Sequence, residues 1–456
     1  MSRPRTVAFV SLGCAKNLVD SEKMLGQLAE AGCAVAADES DADVIVINTC
    51  GFLEAARSEA DAVIREAVGR KGNGRTRRVV VAGCLVQRDK EALLHRIKGV
   101  DALVGVNNRD DIVRAVLGES KPKRSRATDV YLSDYHPFTQ IDTARLRLTP
   151  RHYAYLRISE GCDQKCTFCT IPSIRGRMHC KPPSVILAEA RELIEVGAVE
   201  ISLIGQDTTS YGLGEDRFDA GLAGLLRQLD GLEGIRWIRL MYVYPSVLSD
   251  DMIDAIAGSE HVCNYIDVPL QHVNDRVLKA MHRRIDRRTT VGLLDKLRQR
   301  IPDVTIRTTM IAGFPGETDA EFEELLAFIR EFHFDALGVF PYSLEPETPA
   351  GRMAGQLPEA VKQQRVDALM RAQQEVAFGL ADARIGSCFE VLVDGRADTG
   401  AAVGRHAGQA PTVDAVTNVE GCGAFPGQFV SVRCTGRDGY DLTAVPTRVA
   451  LPVLSA

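Results

Sequence analysis

The chain has the composition of a large globular protein. Its 456 residues predict two to four domains, and 45% of them are hydrophobic, 25% are charged and the formal net charge is −6. No apolar run approaches the ~20 residues needed to span a bilayer, and 12 cysteines are too sparse for a disulfide scaffold. We therefore expect a cytoplasmic protein with reduced thiols. Its mild acidity argues against a general nucleic-acid binder, although a local basic groove remains compatible with it.

Residues 1–118 alternate short β-branched runs with helical stretches. Near-continuous apolar strands separated by helices are typical of a doubly wound parallel α/β sheet. The strand-like runs are residues 7–12, 44–47, 79–82 and 102–106.

Three cysteines in this region, Cys14, Cys50 and Cys84, each fall just past the carboxyl end of a predicted strand. In a parallel sheet these ends lie along one edge, where ligands bind. A lone cysteine is usually a small buried hydrophobe. Three equivalent positions instead favour a shared three-cysteine site.

Residues 119–146 lack periodicity and begin with a basic run. We interpret this segment as an interdomain linker with a solvated charged surface.

A second group of cysteines is packed into one short loop. Cys162, Cys166 and Cys169 stand at positions i, i+4 and i+7 after an apolar run at 153–158. Three such thiolates suit an iron–sulfur cluster with one iron open to a small molecule. Zinc is the alternative, but a structural zinc site needs a fourth Cys or His. His179 and Cys180 lie near enough to be considered for that ligand, although neither has the usual paired spacing.

Residues 147–383 predict a partial (β/α)6 barrel with one edge open, followed by a long connecting helix at 358–383. In such barrels the chemistry sits at the carboxyl ends of the strands, which is where the Cys162 loop falls. The glycine-rich turn 313–318 allows close backbone approach to a ligand on the same face. His272 and His282 show no ligand spacing and are expected in core or surface roles. The strand-like runs are 153–158, 199–204, 236–243, 264–268, 304–312 and 335–340.

Residues 384–456 change to short alternating strands with glycine-rich turns, which predicts a small antiparallel β-barrel. Cys388, Cys422 and Cys434 lie in it at irregular spacing and are expected to act as small hydrophobes. The segment contains six arginines, no lysine and seven Asp or Glu, a net charge of −1.

The Cys162 loop, with Phe168 just before its last cysteine, resembles the signature of radical S-adenosylmethionine (SAM) enzymes. Over nearly the whole chain, the sequence is similar to the methylthiotransferase family of that superfamily, including a terminal barrel like the family's TRAM domain. The stretches that carry this resemblance are Ser11-Leu12-Gly13-Cys14, Asn48-Thr49-Cys50-Gly51, Gly83-Cys84-Leu85, the Cys162 loop and Gly313-Phe314-Pro315-Gly316-Glu317.

The resemblance implies a transferase with two [4Fe–4S] clusters that replaces a C–H bond with C–S–CH3 and uses two SAM molecules. Cys14, Cys50 and Cys84 would hold an auxiliary cluster, and Cys162, Cys166 and Cys169 the SAM-cleaving one. No catalytic residue beyond these ligands is assigned. Positions at the strand ends and in the two loops give five candidate SAM contacts, which are Phe168, Gln206, Asp207, Gly313 and Gly316.

Within the family, the chain most resembles the branch that modifies the β-carbon of an aspartate in small-subunit ribosomal protein S-twelve, free or in the ribosome. Ala15 replaces the usual proline after Cys14 and leaves the ligands unchanged. The resemblance also implies an electron donor such as flavodoxin, and a sulfur donor. The motifs that point to this branch are residues 14–22, 158–163, 206–209 and 339–343.

Two alternatives remain open. A tRNA adenosine methylthiotransferase would use the same chemistry, but a barrel with net charge −1 has no electrostatic reason to seek RNA and better suits a basic ribosomal protein. A non-catalytic iron–sulfur carrier or RNA-binding module belongs to a different class. An iron–sulfur carrier would bind its cluster with four protein ligands and leave no iron open to SAM. Cleavage of SAM by the reduced protein would therefore distinguish the enzyme from a carrier.

Overall fold

The computed structural model of the protein describes residues 4–118, 128–133 and 141–447. Two parallel sheets and a closed β-barrel follow one another along the chain. No helix in these ranges is long and apolar enough to cross a membrane.

The first sheet contains six strands, and every neighbouring pair is parallel. The strands are β1 (Thr6–Ser11), β2 (Ala34–Val35), β3 (Val44–Thr49), β4 (Arg78–Gly83), β5 (Ala102–Gly105) and β6 (Asp129–Tyr131). Their order in the sheet is β2-β1-β3-β4-β5-β6.

Helices cover both faces of this sheet, as the doubly wound prediction requires. They are α1 (Ala15–Glu30), α2 (Glu54–Asn73), α3 (Cys84–Asp89), α4 (Ala92–Arg96) and α5 (Ile112–Leu117). Alternate residues of a strand point to opposite faces. Ile45 and Ile47 therefore pack against α2, α3 and α4, whereas Val44 and Val46 pack against α1 and α5.

Two strands of this sheet were not expected. β2 is only two residues long, too short to show any alternation. β6 lies inside the segment interpreted as a linker, where it pairs with β5, and Arg78 Nη2 donates to Asp129 Oδ2 at 2.5 Å. The linker is thus partly built into the sheet, while its basic run at 119–126 lies outside the described residues. The domain boundaries stay a prediction.

The second sheet has six parallel strands and two open edges, which confirms the partial barrel. The elements of this region are β7 (Tyr153–Arg157), β8 (Ser159–Glu160), β9 (His179–Cys180), β10 (Glu200–Ile204), β11 (Trp237–Leu240), β12 (Val262–Asp267), β13 (Thr305–Ala312) and β14 (Ala336–Pro341). The sheet order is β7-β10-β11-β12-β13-β14, and β8 and β9 form a separate antiparallel pair.

Eight helices of this region are described, and most of them pack on the outer face of the sheet. They are α6 (Ile171–Arg175), α7 (Pro183–Glu195), α8 (Gly221–Asp230), α9 (Asp250–Ala257), α10 (Asp275–Ala280), α11 (Arg287–Arg300), α12 (Asp319–Phe332) and α13 (Glu359–Ala383). Leu156 on β7 joins this outer core. Tyr155 and Tyr265 point to the inner face, where they meet Val19 of α1 and Leu392 of the terminal barrel.

The terminal barrel is closed by five strands, which confirms the barrel prediction. They are β15 (Cys388–Arg396), β16 (Ala402–Arg405), β17 (Thr417–Val419), β18 (Phe429–Asp438) and β19 (Asp441–Pro446). Four of the five neighbouring pairs are antiparallel, but β17 and β19 are parallel. β19 follows β18 through a tight hairpin and therefore runs antiparallel to it. Because β19 also closes the barrel beside β17, its direction makes that last pair parallel. Cys422 and Cys434 are buried as expected, whereas Cys388 is exposed.

The barrel docks on the amino-terminal ends of the second sheet. Arg405 Nη1 donates to Glu200 Oε2 at 2.6 Å, and His152 Nε2 lies 2.8 Å from Asp394 Oδ1. The rings of Trp237 and Phe429 meet edge to face with centroids 4.9 Å apart. The barrel therefore sits at the opposite end of these strands from the Cys162 loop.

Candidate active site

Cys14, Cys50 and Cys84 converge at the carboxyl edge of the first sheet, and we call them the auxiliary triad. Burial raises the pKa of Cys84 to about 12, the Arg175 guanidinium opposes that rise, and the charges of Cys14 and Cys50 add to it. Burial likewise raises the pKa of Cys50, and the charge of Cys14 contributes. Because Cys84 feels the charges of Cys14 and Cys50, and Cys50 feels that of Cys14, the three lie within electrostatic reach of one another, as the strand-end positions predicted.

Two glycines allow the cysteine loops to pack this closely. Gly13 has φ of +92°, and a Cβ on it would lie 2.8 Å from Cys50 Cβ. Gly83 has φ of +98°, and a Cβ there would lie 2.3 Å from Asn48 Oδ1. A side chain would clash at both positions and strain the backbone.

One buried side chain connects all three loops of the auxiliary triad. Asn17 Nδ2 donates to the carbonyl oxygens of Leu12 and Thr49, at 2.9 Å each, and its Oδ1 lies 3.5 Å from Cys84 Sγ. Asn17 belongs to the stretch 14–22 that carried the family resemblance, but nothing in the sequence singled it out.

Cys162, Cys166 and Cys169 form the second group, which we call the radical triad. Their loop lies between β8 and α6. Burial raises the pKa of Cys162 and of Cys169 to about 12, and the charge of Cys166 adds to both shifts. The Cys166 sulfur lies 3.6 Å from Arg283 Nη1, a donor that sequence reasoning missed.

The loop of the radical triad is fastened to neighbouring loops by its backbone. Thr167 N donates to the Met281 carbonyl at 3.0 Å, and Ala350 N donates to the Thr167 carbonyl at 2.9 Å. Thr167 Oγ1 donates to the Ala280 carbonyl at 2.9 Å. These bonds fix the loop before any ligand binds.

Gln206 and Asp207, predicted as SAM contacts, lie beside this loop after β10. Gln206 Nε2 donates to Glu160 Oε1 at 2.9 Å, and Gln206 Oε1 is buried without a hydrogen-bond partner among the described residues. Asp207 is 2% exposed and accepts from Gln164 Nε2 at 2.8 Å and from Ser210 Oγ at 2.6 Å. Gln206 therefore has a free acceptor for a ligand, whereas the bonds of Asp207 fasten the cysteine loop.

Phe168, Gly313 and Gly316 are also on the cysteine face. Phe168 packs in the same apolar cluster as Phe314 and Tyr342, which brings the glycine-rich turn next to the cysteine loop. Gly313 and Gly316 have φ of +76° and +75°. The contact of all five candidates with SAM stays a prediction.

His179 and Cys180 are engaged on the strand beside the loop. His179 Nδ1 lies 3.0 Å from Asp216 Oδ2, and Cys180 Sγ accepts from Gly212 N at 3.4 Å. Within the described ranges no group of three or more His, Cys, Asp or Glu side chains is arranged to hold a single metal ion. The ligands of a four-iron cube bind different irons and stand further apart than those of one ion.

A buried ionic network joins the two triads. Asp20 on α1 accepts from Arg157 Nη1 at 2.7 Å, from Arg175 Nη2 at 2.9 Å and from Arg109. Glu160 accepts from Arg157 Nη1 at 2.7 Å and from Arg175 Nη1 at 2.9 Å. Burial acts to raise the pKa of Glu160, but Arg175 and Arg157 outweigh it and hold that pKa well below its usual range.

A second ionic joint lies further along the same interface. Glu345 is 1% exposed and accepts from Arg57 Nη1 and from Arg88 Nη2, at 2.6 Å each. Its Oε1 also accepts from the backbone N of Glu54 at 3.1 Å. The loop after β14 is thereby bound to α2 and α3 of the first domain.

The donor sets fit two iron–sulfur clusters. Each triad offers three cysteine sulfurs, one of them buried, and Cys14 is the exposed member. The unpartnered Gln206 acceptor lies beside the radical triad. Thiols whose pKa is raised by burial ionise when a metal supplies positive charge.

Family profiles match three consecutive parts of the chain. The radical SAM superfamily covers residues 156–329, the uncharacterized protein family UPF0004 covers 6–105, and the TRAM domain covers 385–446. The fold and the cysteine loop are those of a radical SAM enzyme, a class that uses a [4Fe–4S] cluster and SAM.

Full-length sequence relatives identify the family of this chain within the radical SAM enzymes. The chain is 42% identical to the ribosomal protein uS12 methylthiotransferase RimO of Syntrophotalea carbinolica, over 96% of both chains. It is 44% identical to the protein of that name from Anaeromyxobacter sp. strain K, over 98% of this chain and 95% of the relative. The chain belongs to the RimO-type radical SAM methylthiotransferases.

Solved structures support the fold. The radical SAM methyltransferase TsrM from Kitasatospora setae, with cobalamin and a [4Fe–4S] cluster bound, superposes with a TM-score of 0.54 at 15% identity. The match covers 76% of this chain and 77% of that one.

Proposed function

We propose that this enzyme attaches a methylthio group to the β-carbon of an aspartate of ribosomal protein uS12, the small-subunit protein S-twelve. The observation that carries the proposal is the auxiliary triad, placed beside the radical triad in a chain whose full-length relatives bear that name. A ribosomal substrate would place the reaction in the cytoplasm.

The six cysteines would hold the cofactors. Cys162, Cys166 and Cys169 would hold the SAM-binding cluster, and Cys14, Cys50 and Cys84 a second one. When bound, the clusters and SAM supply a hydrogen-abstracting radical, a sulfur atom and a methyl group.

The protein's own residues orient and enclose these groups. Asn17 holds the backbone before Cys14 and Cys50, and Arg283 donates toward the Cys166 sulfur. Gln206 offers a buried acceptor on the radical side. Phe168 and Phe314 pack in one apolar cluster beside the turn at Gly313.

The barrel is proposed to contact uS12 instead of RNA. Arg405 is buried and paired with Glu200 and Asp394, and Arg437 is paired with Asp382. The charge of Arg405 is therefore neutralised inside the protein, and that of Arg437 is paired at the surface. Exposed acids such as Asp398 and Glu420 remain to meet a basic ribosomal protein.

The test offers uS12 and tRNA together to the reduced, reconstituted enzyme with SAM and a sulfide source, with products read by mass spectrometry. We expect a methylthio group on one aspartate of uS12 and none on tRNA. Modified tRNA adenosine with unmodified uS12 would overturn the substrate assignment. Omitting sulfide, or replacing dithionite by reduced flavodoxin, tests the proposed sulfur and electron donors in the same assay.

A further inference from the structure

Arg175 is carried by the second domain but touches a cysteine of the first. It ends α6, six residues after Cys169, and is 2% exposed. Its Nη2 lies 3.2 Å from Cys84 Sγ and 2.9 Å from Asn17 Oδ1. A guanidinium from the radical side is thus part of the surroundings of the auxiliary triad.

The orientation of this guanidinium is fixed on both sides. Nη1 donates to Glu160 Oε1 and Nη2 donates to Asp20 Oδ2, at 2.9 Å each. Because the planar fork of arginine is held at two carboxylates, the contact with Cys84 follows from geometry and not from free rotation. Arg109 and Arg157 share these carboxylates, but of these three arginines only Arg175 is within hydrogen-bond distance of a cysteine in this triad.

We propose that Arg175 is a positioning residue for the auxiliary cluster, which orients the Cys84 ligand and raises the reduction potential of that cluster. The inference rests on the proposed function, because it assumes a cluster on Cys14, Cys50 and Cys84. Hydrogen bonds to the sulfurs and nearby charge set the potentials of iron–sulfur clusters. A reduced cluster carries one more negative charge, so a fixed guanidinium beside its ligand favours the reduced form.

A purely structural arginine would behave differently. It would stabilise the domain interface through Asp20 and Glu160 without affecting cluster electronics. The midpoint potential separates these two roles, since loss of an ion pair elsewhere in the interface does not act on the sulfur.

The experiment uses the full-length protein, reconstituted anaerobically with iron and sulfide and titrated with dithionite while EPR signals are recorded. The auxiliary signal is the one that persists after Cys162, Cys166 and Cys169 are replaced by alanine. For Arg175→Gln we expect the reduced-to-oxidised ratio at a fixed potential to fall at least tenfold, about 59 mV for a one-electron couple. Arg175→Lys keeps the positive charge but loses the planar fork of donors. Its auxiliary midpoint potential should lie between those of Arg175→Gln and the parent protein.

Two matched controls locate the effect. Arg283→Gln removes the guanidinium near Cys166 and should shift the radical-triad signal while leaving the auxiliary signal in place. Arg177→Gln removes a nearby arginine whose side chain is 63% exposed, and should shift neither signal.

The outcomes are distinct. Unchanged auxiliary potentials in Arg175→Gln and Arg175→Lys, with the iron content retained, would overturn the inference. Loss of iron together with a large drop in melting temperature would overturn it too, because the arginine would then be purely structural. Loss of only the auxiliary iron, with the radical-triad signal and the melting temperature kept, would support ligand positioning. A parent protein that never binds iron at Cys14, Cys50 and Cys84 would instead refute the proposed two-cluster function.

Discussion

A buried thiol is a poor acid, and burial raises the pKa of Cys50, Cys84, Cys162 and Cys169. Such thiols are unreactive toward most reagents, because the thiolate is the nucleophile and the metal ligand. A metal that approaches them supplies the positive charge that releases their protons. These four thiols therefore stay protonated at neutral pH until a metal binds.

The two triads should separate in iron content and in chemistry. Replacing Cys162, Cys166 and Cys169 by alanine should reduce the iron from about eight atoms to about four and abolish SAM cleavage. Replacing Cys14, Cys50 and Cys84 should give the same iron loss but leave 5′-deoxyadenosine formation, while methylthio transfer disappears. Iron analysis and product chromatography measure both effects.

The matched control for these variants is Cys263→Ala, which removes a buried cysteine outside both triads. It should keep all the iron. Normal methylthiolation by the Cys14, Cys50 and Cys84 variant would contradict the assignment of the auxiliary triad.

Among the structural elements, the joint at Glu345 holds the loop after β14 to the first domain. Replacing Glu345 by Gln leaves Arg57 and Arg88 without their shared carboxylate. We expect a loss of about 2 kcal/mol in the free energy of unfolding, because the charged hydrogen bonds at a buried carboxylate are weakened. The loss stays moderate, since Arg57 keeps Glu54 and Arg88 keeps Glu347 as partners. The melting temperature measures it.

Glu347→Gln provides the control, since Glu347 also pairs with Arg88 but its side chain is 45% exposed. That variant should change the melting temperature little, because exposed ion pairs contribute ~1 kcal/mol or less. Equal changes of melting temperature in the two variants would mean that Glu345 is not the residue that holds the loop after β14 to the first domain.

The loop between β16 and β17 contains a histidine that should make stability depend on pH. Burial lowers the pKa of His406 to about 3, and Arg384 and Arg239 contribute. Its Nδ1 accepts from Gly408 N at 2.9 Å, a bond that protonation of this nitrogen would break. The unfolded chain binds a proton near pH 6.5 and the folded chain does not, so stability falls as the pH drops below 6.5, by about 1.4 kcal/mol per pH unit.

Melting temperatures between pH 7.5 and 5.5 check this prediction. His406→Gln should flatten the slope below pH 6.5, whereas His95→Gln, at an exposed helix position, should leave it as in the parent. A slope that His406→Gln does not alter would show that other groups set the pH dependence.

At the scale of the whole molecule, the acidic surface of the barrel should affect the binding of the protein substrate and not the cleavage of SAM. Reversing Asp398 and Glu420 to lysine should raise the KM for uS12 about fivefold, since each exposed charge contributes roughly 0.5 kcal/mol. SAM cleavage without substrate should be unchanged. The control reverses Glu59 and Glu66, two exposed acids on α2, and should leave KM unaffected. A fivefold rise in both variants would indicate a general charge effect.

Much of this organisation could be read from the sequence, because strand periodicity and cysteine spacing are local signals. The six strands of the partial barrel and both triads were predicted in this way. The network of Asp20, Glu160 and Arg175 was not, since its members are up to 155 residues apart and meet only through domain docking. The parallel pairing of β17 with β19 depends likewise on how the barrel closes.

The position of the barrel also sets a length scale for the target. Barrel contacts begin at Glu200, the first residue of β10, while Gln206 stands beyond the last residue of that strand. Five residues of strand separate the two ends, about 17 Å at 3.3 Å per residue. A free amino acid or a very short peptide cannot span that interval. A target that touches the barrel and the cysteine face at once, as we propose for uS12, must therefore be longer than a short peptide.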